Sequence, residues 1–100
     1  MVTAIVQFKL PSDIDLNKAA SLFNGSAPKY LNMEGLIRKH YIFDADTRIG
    51  GGVYLWRNRA DAVAAYTPEW KAYITSRYGN APEIRLFDTP VIVDNERGLI

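Results

Sequence analysis

Cysteine is absent from this chain, and histidine occurs once, at His40. The first absence excludes thiol nucleophiles, disulfides and thiolate metal sites. With a single histidine, and with Asp44 and Asp46 in one turn lacking a third ligand, no metal site is expected. Long apolar runs are missing too. The longest charge-free stretch, 19–28, still includes Ser21, Asn24 and Ser26, whereas a membrane span takes about 20 apolar residues. Met1-Val2-Thr3-Ala4 lacks the basic and then apolar opening of a signal peptide. A cytoplasmic chain with no membrane partner is the expectation. Neither sign of charge dominates: 12 Lys and Arg stand against 11 Asp and Glu, which gives no electrostatic reason for a nucleic-acid partner.

What is present has the balance of a folded chain: 48% of the 100 residues are hydrophobic and 23% charged. The length suits one domain, 1–100. A domain this small buries only roughly 60–65% of its unfolded surface, so a second copy would add useful burial.

Residues 2–10 alternate, with Ala4, Val6, Phe8 and Leu10 on one side and Thr3, Gln7 and Lys9 on the other, as in a strand with one buried face. Pro11 ends it, and Ser12 or Asp13 can cap a helix whose apolar stripe is Leu16, Ala19, Ala20, Phe23 and Ala27. Gly25-Ser26 reads as a break before a short turn over 27–31. Leu36 to Phe43 and roughly Gly50 to Arg57 read as an antiparallel pair around the turn formers Asp44-Ala45-Asp46-Thr47. Asn58 caps a helix with Ala60, Val63 and Ala64 as its apolar face. Thr67-Pro68 restarts a helix carrying Trp70, Tyr73 and Ile74, and Gly79 ends it. Residues 83–93 read as a long strand disturbed by Pro90, which suits a sheet edge. The order β-α-β-β-α-β predicts an α+β, ferredoxin-like fold with a four-stranded antiparallel sheet. Both faces of the middle strands carry large side chains. Helices cover one face, and a second copy of the sheet is the economical cover for the other, so a homodimer is expected.

Two readings are excluded by position. Gly50-Gly51-Gly52 opens a strand, not a helix, and no Lys-Ser/Thr follows, so it is not a phosphate loop. The same strand order serves RNA-recognition modules, but Gly51 and Val53 fall where stacking aromatics belong.

Gly35-Leu36-Ile37-Arg38-Lys39-His40-Tyr41, then Gly51-Gly52-Val53-Tyr54-Leu55-Trp56, then an Ala-rich helix, resembles the dimeric α/β-barrel superfamily. Within it, the YdhR-like monooxygenases, relatives of the antibiotic-biosynthesis monooxygenases, are the nearest resemblance. Ala27-Pro28-Lys29-Tyr30 and Pro90-Val91-Ile92-Val93-Asp94-Asn95 add to it. The resemblance implies a pocket between sheet and helices in which an electron-rich compound reacts directly with O2, without metal or flavin. It places the family's strand tryptophan on Trp56 and a polar ring residue near Tyr66. The family's asparagine falls on Gly52, where this chain departs from the pattern.

Arg38-Lys39-His40 is the most concentrated polar group. On a strand, Arg38 and His40 share one face while Lys39 and Tyr41 share the other. Forming the anion of an enol or phenol takes a base and a cation in a dry cavity. His40 is the natural base near neutral pH, with Arg38 or Lys39 holding the anion. Tyr54, Trp56 and Trp70 would be the walls, with Tyr41 and Tyr66 as further substrate-binding residues. The bland alternative is that the charges face water and the aromatics are core. A one-residue shift of the second strand would exchange Arg38/His40 for Lys39/Tyr41 on the cavity side, and the sequence leaves that parity open. Two functions follow: a cofactor-independent monooxygenase of a small aromatic or enolisable compound, or a non-catalytic small-ligand-binding or stress-related dimeric domain. A titratable group inside the cavity favours the first.

Overall fold

The computed structural model describes residues 1–98. Its elements are β1 (Val2–Lys9), α1 (Leu16–Ser26), a 3₁₀ turn (Ala27–Tyr30), β2 (Leu36–Asp44), β3 (Ile49–Trp56), α2 (Arg59–Ala65), α3 (Pro68–Tyr78) and β4 (Glu83–Asp88). The sheet order is β2-β3-β1-β4, antiparallel throughout, the α+β ferredoxin-like arrangement that the element order predicts.

β1 is central, and its alternation sets the layers. Val2, Ala4, Val6 and Phe8 are buried under the helices; a Val or Phe so buried contributes about 1.5–3 kcal/mol. β3 places Tyr54 and Trp56 on that same side, opposite Ala4 and Val2. Gly51 lets the two strands approach closely, since a Cβ there would lie 1.8 Å from the Val6 carbonyl oxygen. The other side of the sheet carries Thr3, Ile5, Val53, Leu55, Arg38 and His40.

Helix starts follow local chemistry. Asp15, rather than Ser12 or Asp13, caps α1 by accepting from the Lys18 N–H. Asn58 accepts from the Asp61 N–H, and Thr67 from the Trp70 N–H with Pro68 behind it; each such cap contributes about 1 kcal/mol. Gly79, at φ 89°, ends α3 in the left-handed conformation.

Three expectations change. Leu16 and Ala20 lie outside the buried face of α1, which is Ala19, Phe23 and Ser26. The inward face of α2 is Ala62, leaving Ala60, Val63 and Ala64 exposed, because the seven-residue helix lies on the sheet through Ala62 and the Tyr66 that follows it. β4 stops at Asp88: its partner β1 begins at Val2, the residue opposite, and Pro90 has no N–H to continue a ladder.

Candidate functional site

β2 decides which polar side chains meet the helices, and a bulge decides β2. Leu36 pairs with Trp56 but Arg38 pairs with Leu55, so Ile37 is the extra residue. Leu36 and Lys39 therefore both face the helices, and Tyr41 and Phe43 follow on the same side. Arg38 and His40 stand opposite Leu55 and Val53 on the far side of the sheet.

Behind β2 lies an aromatic cluster. Trp56 Nε1 donates to the Tyr66 hydroxyl, and Trp70 Nε1 to the Tyr30 hydroxyl, both at 3.1 Å. The Tyr54 and Trp56 rings are nearly parallel, 5° apart, and Tyr66 stands edge-on to both. Ser26 donates to the Phe23 carbonyl, so its oxygen accepts from the Tyr41 hydroxyl 2.8 Å away. Among the described residues no buried side-chain nitrogen or oxygen lacks a partner. Trp56 is 0% exposed. Burial raises the pKa values of Tyr54, Tyr66 and Tyr30 above the ordinary phenol value and pushes Tyr41 up to about 12, so all four phenols stay neutral and act as hydrogen-bonding walls.

At the edge of this cluster Lys39 enters the protein. Its Nζ lies 3.5 Å from the Tyr30 ring centroid, 3.7 Å from that of Tyr41 and 4.6 Å from that of Tyr54. Gly52 makes the room, because a Cβ at that position would sit 2.9 Å from Lys39 Cε. The only ion pair among the described residues is Arg59–Asp88, so no described carboxylate pairs with Lys39. Burial, assisted by the Lys29 charge, pushes the Lys39 amine down from 10.5 to about 7. The three ring faces act in the opposite sense by attracting the ammonium. Lys39 is thereby a weaker base than an exposed lysine, with the ring faces limiting the shift.

Lys39, Tyr30 and Tyr41 form one wall of an open cleft of about 530 Å³, closed on its other sides by residues 31–37 and Arg57. This volume suits a small-molecule ligand. Of the expected site residues, Lys39, Tyr41 and Arg38 line the cleft. Tyr54, Trp56, Tyr66 and Trp70 stand behind it as packed core. His40 lines a separate depression of about 200 Å³ on the far side with Thr3, Arg38, Val53, Leu55, Thr89 and Ile92. The expected trio of Arg38, Lys39 and His40 is thus divided: strand parity, set by the Ile37 bulge, sends Arg38 and His40 to the face away from the helices, with Arg38 also reaching the rim of the cleft. Sequence alone names Tyr30 only within the family resemblance and passes over the 31–35 loop, whose Asn32 (φ 61°) and Gly35 (φ 78°) turn the chain beside the cleft. Gly35 next to a strand start was the signal available.

No family model and no curated protein sequence matches the chain. Solved structures do resemble it. SnoaB, a cofactor-independent oxygenase from Streptomyces nogalater, is 17% identical with a TM-score of 0.64, covering 92% of this chain and 95% of that one. A monooxygenase from the gene ActVA-Orf6 of Streptomyces coelicolor, in complex with the ligand nanaomycin D, is 14% identical with a TM-score of 0.67, over 94% and 92%. The protein NE2512 of unknown function from Nitrosomonas europaea gives a TM-score of 0.70 at 10% identity, over 92% and 91%. At these identities the likeness defines the class of fold, a ferredoxin-like α+β chain built as the antibiotic-biosynthesis monooxygenases are.

Proposed function

We propose that this chain is a cofactor-independent monooxygenase that oxidises a flat, enolisable aromatic compound in the cleft beside β2. The observation that carries the reading is the Lys39 amine, unpaired with any described carboxylate and set among tyrosine faces on the cleft wall. The neutral amine takes a proton from an activated CH₂ of the substrate, leaving a carbanion delocalised over the ring system. The ammonium so formed stabilises the negative oxygen of that anion at the cleft wall. O2 adds to the carbon, and Lys39 returns the proton to the distal peroxide oxygen. Loss of water then leaves a carbonyl, with one oxygen atom in the product and the other in water. In this scheme Lys39 is both base and anion holder, and the role expected of His40 passes to it. Tyr41 and Tyr30 flank the ring, and Arg38 sits at the rim. The named activities of SnoaB and the ActVA-Orf6 protein support the reading, and the Gly51–Trp56 run supports a YdhR-like placement.

The same proposal includes a cytoplasmic homodimer of one domain per chain, joined through the face of the sheet away from the helices. Phe87, opposite Thr3 on that face, is exposed, as are Val91 and Val93 in the segment that follows β4, and exposed apolar side chains support a covering partner. Oxygen uptake with a panel of anthrone-like and quinol compounds tests the reaction. Uptake above buffer by the wild type, lost in Lys39→Met, is the expected result. No uptake with any compound would return the cleft to the ligand-binding alternative.

A further inference from the structure

The geometry points to a second use of the same cleft: Lys39 is a nucleophile that condenses with small aromatic aldehydes or ketones to form an imine. This capture shares the cleft with the proposed oxygenation but needs no O2, so either can fail without the other. Three observations carry it. Lys39 lines an open cleft of about 530 Å³, large enough for a small carbonyl compound. No described carboxylate pairs with it, so no acidic partner holds it in the ammonium form. Its Nζ is packed against the faces of Tyr30, Tyr41 and Tyr54, which shield the amine from water on the protein side while Tyr30 and Tyr41 also line the cleft. A desolvated amine near another cation is the usual form of an imine-forming lysine. The facing charged and titratable groups are Lys29 and Tyr30 from the 3₁₀ turn, Tyr41 from β2 and Tyr54 from β3, with Glu34, Arg38 and Arg57 along the cleft. None of the phenols is ionised near neutral pH, so none restores the ammonium form by supplying a negative charge.

The step balances simply. The amine nitrogen bonds to the carbonyl carbon, and the carbonyl oxygen leaves as water with both amine hydrogens, forming the C=N bond. Added cyanoborohydride then delivers hydride to the imine carbon and fixes the adduct as a secondary amine.

The test treats the whole wild-type protein at pH 7, under nitrogen, with 4-formylbenzoate and cyanoborohydride, and maps the modified peptides by mass spectrometry against time. An amine with an ordinary pKa is free in only about one part in 3000 at this pH, against roughly half for one near 7, though its greater basicity recovers part of the deficit. Lys39 is therefore expected to label at least about tenfold faster than exposed Lys18 and Lys71. In Lys39→Arg, which keeps the charge and cannot form an imine, the fast-labelling peptide disappears while the slow ones persist. Labelling of Lys39 at the same rate as the surface lysines, or none at Lys39, overturns the proposal. Because the wild type carries the decisive comparison, the outcome stands even if the variant folds poorly.

Discussion

Replacing Lys39 with Met keeps most of the aliphatic volume over Gly52 and removes the titrating nitrogen. In the unfolded chain the amine holds its proton to about pH 10.5, but in the folded protein only to about 7. Between those values folding releases a proton, so wild-type stability rises with pH, and the variant lacks this contribution. At about 1.4 kcal/mol per pH unit the full window corresponds to an upper bound near 5 kcal/mol, which the attraction of the three tyrosine faces for the ammonium reduces. From pH 7 to pH 9 the wild type should gain about 2 kcal/mol relative to Lys39→Met. Urea unfolding of both proteins at intervals of half a pH unit measures this difference directly. The interval stops below the range where the buried tyrosines, whose pKa values are raised, begin to ionise in the unfolded chain and lower stability. A difference that stays constant with pH would show that Lys39 is solvated and would refute the reasoning.

Four other outcomes follow from particular contacts. Gly52→Ala places a methyl group 2.9 Å from both Lys39 Cε and the buried Tyr54 Cε1; the flexible lysine should swing toward water before the packed ring shifts, and the fast-labelling amine should slow about tenfold toward surface-lysine rates in aldehyde trapping. Trp56→Phe removes the indole donor to Tyr66 from a site with no exposure and should cost about 2–3 kcal/mol in urea unfolding. Asp88→Asn breaks an ion pair whose side chains are 52% and 84% exposed, and should change stability by less than about 0.5 kcal/mol. Sedimentation equilibrium should show a dimer in the wild type, weakened when Phe87 and Val91 are changed to Ser.

The sheet was readable because half-buried strands write their burial as alternation. Val6 and Phe8 against Gln7 and Lys9 need no tertiary information. Helix ends were readable for the same local reason, with Asn58, Thr67, Pro68 and Gly79 each acting on the backbone next to it. Burial of whole helix faces was less so: Leu16 begins α1 beyond the sheet, and Val63 belongs to a helix too short to show its period. The site depended on the least local feature of all. The bulge at Ile37 lets Leu36 and Lys39 face the same way, which strict alternation forbids, so a side-chain pattern alone left the parity of Arg38-Lys39-His40 open. Lys39 then reaches the interior only because Gly52, on a neighbouring strand, has no side chain. A charged run reads as solvated until the gap that admits one of its members is known.

The account rests on Lys39 as the group that moves the substrate's proton. Oxygen uptake measured against pH for the wild type, Lys39→Met and His40→Ala, with one active anthrone-like compound, tests it most directly. The account predicts wild-type rates that rise with pH to a plateau with a midpoint near 7. It also predicts at least a hundredfold loss in Lys39→Met and an unchanged profile in His40→Ala. Full activity in Lys39→Met together with loss in His40→Ala would contradict it.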